Sequence, residues 1–209
     1  MDELICVADF ERAAEEKLEA GVAGYFFGGA CDEVTLRDNC EAWRRWRLRP
    51  RALAGLGAWE TRAEVLGGEV AMPILVAPVA YQRLVDPEGE VGMARAAAAA
   101  GTVMCLSTLA TTRPSELTAA VPEGRRWFQL YCFRDEAVTR ALMDEAVESG
   151  FEAIVLTADA PPGGNRERDR RNRFTLPQEL GTPSLSAAVG GNKSLSIEET
   201  FALMNHALT

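Results

Sequence analysis

Polar side chains recur in this chain where buried strands should be apolar. Ser107 and Thr108 follow the apolar run 103–106. Gln129 and Tyr131 interrupt and close the run 127–131. Thr157 closes 153–157 and is followed by Ala158-Asp159. A fourth apolar run ends in Val76-Ala77-Pro78-Val79-Ala80-Tyr81-Gln82. Parallel strands covered on both faces are apolar throughout. Hydroxyls and amides repeated at one end of successive strands therefore point to one shared ligand there, as at the C-terminal face of a βα barrel. Such groups both donate and accept hydrogen bonds, so they suit a ligand edge that carries both kinds of partner. Taken singly, Ser107 and Thr157 read as strand ends satisfied by loop backbone. Gln129 resists that reading, because a buried amide between Phe128 and Leu130 needs several partners.

The elements that position these residues alternate regularly. Residues 74–78 read as a strand. Asp86-Pro87 opens a helix with Pro at its first position, which runs through 94–100 to Gly101. Strand 103–107 follows, then a helix opened by Pro114 with Glu116 in its first turn, where negative charge suits the dipole. Strand 127–131 leads to helix 134–149, with Val138, Leu142 and Ala146 on one face and Gly150 as terminator. Strand 153–157 is the last. About four βα units with short connections predict parallel strands and right-handed crossovers.

The flanks are less regular. Asp9 is placed to cap a first helix with Phe10, Ala14 and Leu18 on one face, ended by Gly21 and Gly24. Phe26-Phe27-Gly28-Gly29 reads as an apolar turn, and 31–60 as irregular or short helical structure carrying Trp43, Trp46 and Trp59. Residues 62–66 and 69–72 form a hairpin around Gly67-Gly68. After Asp159 the pattern breaks at Pro161-Pro162-Gly163-Gly164. The charge run 166–173 reads by itself as a solvated loop. Residues 180–196, rich in Gly, Ser and Pro, read as mobile. Residues 197–208 could form a helix with Phe201, Met204 and Leu208 on one face and Ser194 or Ser196 near its start. Three segments result: a helical segment and hairpin (1–72), four barrel strands with helices (73–159), and a loop with a helix-like tail (160–209).

A chain of 209 residues can bury a core, yet a complete barrel needs roughly 250, and about 70 residues precede the first barrel-like strand. The net charge of -9 argues against nucleic acid as the main partner. No apolar run reaches the ~18 residues of a membrane span. The start Met1-Asp2-Glu3-Leu4 lacks the basic residues of a signal peptide. Five cysteines (Cys6, Cys31, Cys40, Cys105, Cys132) without Cys-x-x-Cys spacing read as free thiols in a reducing cytoplasm. With one histidine, His206, no metal site is expected.

Several motifs in order then carry a resemblance that covers almost the whole chain. Ala77-Pro78-Val79-Ala80-Tyr81-Gln82, Pro87-Glu88-Gly89-Glu90, Gln129-Leu130-Tyr131, Thr157-Ala158-Asp159 and Arg166-Glu167-Arg168-Asp169-Arg170-Arg171-Asn172 resemble the FMN-dependent α-hydroxy-acid oxidases and dehydrogenases. That family includes glycolate oxidase, lactate oxidase and mandelate dehydrogenase. The Val-Ala-Tyr-Gln variant and residues 130–135 look most like its hydroxymandelate oxidase branch. The resemblance implies the N-terminal half of a TIM (β/α)8 barrel with a helical extension, an FMN cofactor and a small 2-hydroxy-acid substrate. It also implies a homo-oligomer for the full-length protein.

Carried over by resemblance, Pro78, Val79, Ala80, Ser107, Gln129 and Thr157 contact FMN, with the backbone of 78–80 near the reactive edge of its ring. Val79 replaces a hydroxyl residue common elsewhere in the family. Tyr25, Tyr131 and Arg166 match substrate residues, Arg166 forking the carboxylate. Leu109 stands where some members carry a bulky aromatic, which widens the pocket toward an aryl substrate, and Phe133 helps line it. The family's histidine base, second arginine and flavin-facing lysine have no counterpart here, since His206 lacks the His-Gly-Gly-Arg context. The chain is thus expected to be the N-terminal part of a longer oxidase. A catalytically inactive half barrel that pairs with a second chain or with itself is one alternative. A βα-barrel lyase is another, though Lys17 and Lys193, the only lysines, lie outside the predicted strands.

Overall fold

The computed structural model describes residues 4–53, 55, 57–158, 163–177, 179–191 and 194–205. The chain divides into two compact units. One is Met1–Gly55 with Gly164–Thr175; the other is Leu56–Gly163 with Leu176–Thr209.

The first unit is helical: α1 (Val7–Glu15), α2 (Ala20–Phe27), α3 (Val34–Arg44) and, returning from far along the chain, α7 (Glu167–Arg171). Two expectations change here. Cys6, not Asp9, is the N-cap of α1; Asp9 lies three residues in, where its carboxylate accepts the N–H groups of Ile5 and Cys6, each at 3.0 Å. That is the reciprocal half of a capping box. Gly21 and Gly24 do not end a helix but lie inside α2. Their function is close approach: a Cβ on Gly24 would sit 2.6 Å from Asn172 Nδ2, just beyond α7. The charge run 166–173 is likewise no solvated loop. Arg168 pairs with Glu33 through Nε at 2.7 Å and Nη2 at 2.7 Å, and Asn172 Nδ2 donates to Ala20 O at 2.8 Å. The Gly29 amide, and then Arg168, hold the Glu33 carboxyl below its usual range.

The second unit holds the sheet. β3 (Val103–Leu106), β4 (Arg125–Tyr131) and β5 (Ala153–Thr157) are parallel in that order. Cys105 lies level with Trp127, and Gln129 with Val155. The expected first strand, 74–78, is reduced to a single parallel bridge between Val76 and Met104, closed by two backbone bonds of 2.9 Å. α4 (Gly89–Ala99), α5 (Pro114–Ala120) and α6 (Glu136–Glu148) fill the connections, so the α/β alternation of the sequence is present. Asp86-Pro87 forms the turn before α4 and not its first residues: Asp86 Oδ1 accepts from Glu88 N–H at 2.8 Å, and the helix starts at Gly89. Val138, Leu142 and Ala146 are buried as expected, and Phe128, on the same side of β4 as buried Leu130, meets Phe151 edge-on.

The hairpin β1 (Ala63–Val65) and β2 (Gly68–Val70) belongs with the sheet. Arg125, at the start of β4, reaches back to Glu69 O at 3.2 Å and Val65 O at 3.4 Å while chelating Glu152. The region expected to be mobile, 180–196, contains α8 (Pro183–Ala188), whose Ser184, Leu185 and Ser186 are buried. Its apolar Leu185 gives a polar-looking segment something to bury. α9 (Ile197–Leu203) starts at the Ser196 cap, with Glu199 completing a capping box. It ends earlier than expected because Met204 turns extended and bridges Phe133. Leu208 lies outside the described residues.

Candidate active site

Three strand-end residues form one connected line. Gln129 Oε1 accepts from Ser107 Oγ at 3.3 Å and from Thr108 N–H at 3.1 Å. Its Nε2 donates to Thr157 Oγ1 at 2.9 Å. Ser107 Oγ in turn accepts from Leu109 N–H at 3.1 Å. Gln129 lies level with Val155, so its amide reaches forward along the neighbouring strand to meet Thr157. The strand pleat puts Ser107, Gln129 and Thr157 on one face of the sheet, with Cys105, Trp127 and Val155 each one step earlier on its strand. Ser107 and Gln129 are buried, and Thr157 is half-buried.

This arrangement fixes which way the amide points. The oxygen faces two donors from β3 and its loop; the nitrogen faces β5. One Gln129 N–H and the Thr157 hydroxyl proton remain to donate outward. The loop backbone supplies further donors. Pro78 and Val79 are exposed, and the N–H groups of Val79 and Ala80 make no hydrogen bond among the described residues. Buried Trp127 Nε1 also lacks a partner there. Donors and acceptors along one strand-end rim are the chemistry needed at the pyrimidine edge of a flavin, so the residues present fit such a group.

Tyr131, the last residue of β4, lies level with Thr157, and its N–H reaches Thr108 Oγ1 at 3.4 Å. Thr108, to which the sequence assigned no role, also donates from Oγ1 to Gln129 O at 2.6 Å. Leu109 is buried and accepts from Tyr81 N–H at 3.1 Å. Phe133 is buried beside Met204. Burial pushes the Cys105 thiol up to about 11 from 9.0.

The other two predicted residues meet in the helical unit. The Arg166 guanidinium lies over the Tyr25 ring, 5.3 Å from its centroid, and that ring stacks on Phe174 at 5.2 Å. Arg166 Nε binds Asp169 Oδ2 at 2.6 Å, and Nη2 binds Tyr25 O. Two of its three nitrogens are thus engaged, and Nη1 has no partner among the described residues. His206, Asp159 and Lys193 lie outside the described residues. Among those described, no cluster of His, Cys, Asp or Glu could hold a metal ion, and no helix is long and apolar enough to cross a membrane.

Comparison with known proteins places the chain. A family model for FMN-dependent dehydrogenases matches residues 14–204. The chain is 41% identical over 198 residues to human 2-hydroxyacid oxidase 1, covering 95% of this chain and 53% of that protein. It is 41% identical over 187 residues to L-lactate oxidase of a Nostoc species, covering 88% and 51%. The structure of mandelate oxidase with (S)-4-hydroxymandelic acid superposes with a TM-score of 0.82 at 40% identity, covering 90% of this chain and 52% of that one. The chain spans about half the length of the relatives it matches. It belongs to the FMN-dependent dehydrogenase family.

Proposed function

We propose that this chain holds FMN along the Ser107–Gln129–Thr157 rim and serves the oxidation of an (S)-2-hydroxy acid, mandelate- or lactate-like, to the 2-oxo acid. The observation that carries this reading is the continuous hydrogen-bonded line across three strand ends, with its uncommitted donors on one face. When bound, the flavin accepts the two electrons that leave the substrate.

The remaining roles fall to the chain itself. Gln129 Nε2 and the Thr157 hydroxyl fix the ring edge, while the Val79 and Ala80 amides approach it from the first strand end. Pro78 ends that strand and aims those amides. Tyr25, Tyr131 and Arg166 are assigned to the substrate by family likeness; within the helical unit, Asp169 and the Tyr25 ring set the Arg166 plane and leave Nη1 for a carboxylate. The group that takes the α-proton is assigned to sequence beyond these 209 residues, in keeping with the half-length match. Exposed Ile154 and Leu156 on β5 support further covering structure, since a parallel strand needs both faces buried. A reducing cytoplasmic setting and self-association of the longer protein complete the reading.

The test is an FMN titration of the full protein as its gene encodes it, with wild type and Gln129→Leu compared. Binding that Gln129→Leu weakens about ten-fold or more supports the reading. A wild-type protein that fails to retain FMN, or a Gln129→Leu protein that binds it equally well, overturns it.

A further inference from the structure

The segment that carries Val79 and Ala80 is held from behind by a carboxylate with no solvent exposure. Glu90, in the first turn of α4, is 0% exposed. Its Oε1 accepts the N–H of Gln82 at 3.3 Å and of Thr111 at 2.8 Å. Its Oε2 accepts the hydroxyls of Thr111 at 2.7 Å and Thr112 at 2.9 Å. One side chain therefore ties the loop after the first strand to the loop after β3. The first loop needs such a tie. Tyr81 is a non-glycine residue at φ +54, a conformation that persists only when its surroundings impose it. Its other anchors are Tyr81 N–H to Leu109 O at 3.1 Å and Gln82 Nε2 to Val79 O at 3.5 Å.

Removing the carboxylate would strand two backbone N–H groups and two hydroxyls in a dry site. The response open to the structure is outward movement of residues 78–82, because Pro78 and Val79 already face solvent while Thr111 and Thr112 are buried. That movement displaces the amides aimed at the ligand.

We infer that Glu90 is the positioning residue for the flavin-facing backbone of residues 78–80, acting through Gln82 and the 109–112 loop. This assignment rests on the FMN reading above. It is tested on the full protein as its gene encodes it, with wild type, Glu90→Ala, Glu90→Gln and, as a control, Leu142→Ala. Leu142 is buried on α6 and forms no part of the rim, so its truncation lowers stability without touching the loop. The readouts are FMN dissociation constant, the visible flavin spectrum, and amide exchange of Gln82 in the flavin-free protein.

Glu90→Ala is expected to raise the FMN dissociation constant about ten-fold, to shift the spectrum and to speed Gln82 exchange by a similar factor. Glu90→Gln restores all three to within about three-fold: its carbonyl serves the two amides and its NH2 donates to rotated threonine hydroxyls. Leu142→Ala lowers the melting temperature alone. If Glu90→Ala does not fold, the pair Thr111→Val and Thr112→Val removes only the two hydroxyl donors and should move the same readouts in the same direction. Glu90→Ala, or that pair, matching Leu142→Ala in flavin affinity and spectrum overturns the assignment. A wild-type protein that does not bind FMN overturns it together with the function it rests on.

Discussion

Gln129 donates to Thr157 across the seam between β4 and β5 while its carbonyl oxygen draws Ser107 and the Thr108 amide from the other side. One amide on β4 therefore satisfies groups at the ends of both neighbouring strands. Its replacement should cost more than one hydrogen bond. In Gln129→Leu, the Thr108 N–H and the Ser107 hydroxyl lose a common acceptor in a buried place. A loss of about 1–3 kcal/mol is expected by denaturant unfolding, together with the weakened FMN binding stated above. Gln129→Glu should also fail: one Oε can still accept, but the atom facing Thr157 loses its proton, so flavin affinity falls in the same titration.

Gly68 and Arg125 make a second close relationship. A Cβ on Gly68 would stand 2.4 Å from Arg125 Cζ. A flexible side chain could step aside, but this guanidinium is pinned to Glu152 by Nε at 2.9 Å and Nη2 at 2.6 Å and reaches the hairpin carbonyls as well. Gly68→Ala should therefore destabilise by about 1–2 kcal/mol, against a propensity gain for Ala in a strand that is smaller. In an Arg125→Ala background the same substitution should cost almost nothing. A double-mutant cycle by chemical denaturation reads the difference; equal penalties in both backgrounds would refute the contact.

The sequence was most legible where a period and a terminator coincided. Helix α6 was readable because Val138, Leu142 and Ala146 share one face and Gly150 follows its end, although its expected start at 134 precedes the Asp135 cap that opens it at Glu136. β5 came out with the bounds expected. The flanks were less readable for physical reasons. Gly21 and Gly24 resemble terminators by residue type, yet their lack of a Cβ serves the approach of Phe174 and Asn172 respectively, partners about 150 positions away that no local window contains. The run 166–173 looks solvated because its charges are paired across chain distance, Arg168 with Glu33. Glu90 was visible in a motif but carried no role, since its partners lie in loops before α4 and after β3. The strand-end rim was legible because polar residues on buried strands violate the apolar pattern, and its connectivity through Gln129 followed only from the register.

Cys105 gives a pH prediction. Its folded thiol is raised to about 11 from 9.0, and the cause is burial. The folded state therefore keeps a proton that the unfolded chain gives up in that interval. Stability from this source is full below about 9 and falls as pH rises toward about 11, where the unfolded state binds fewer protons. Cys105→Ala should flatten the alkaline limb of a stability-against-pH curve; a limb unchanged by the substitution would remove Cys105 as its source. In native protein at neutral pH, a thiol reagent should label exposed Cys6, Cys31 and Cys40 long before Cys105, and unfolding should abolish that order.

Arg166 separates two roles that its surroundings combine. Asp169 and the Tyr25 carbonyl hold Nε and Nη2, and the Tyr25 ring supports the guanidinium plane, so Nη1 is presented in a set direction. Lysine keeps the charge but has no plane to stack and no fork to divide between an internal carboxylate and an incoming one. If Arg166 binds the substrate carboxylate, Arg166→Lys should weaken a 2-hydroxy-carboxylate ligand by about 10–100-fold, measured by its perturbation of the flavin spectrum. FMN affinity itself should hold. Asp169→Asn is the informative companion, since it leaves Arg166 charged and loosens only its orientation. It should therefore give a smaller loss of carboxylate affinity than Arg166→Lys. Were both variants to lower the melting temperature and leave carboxylate affinity unchanged, Arg166 would be a docking residue for α7 on α2, and the substrate role would pass to another group.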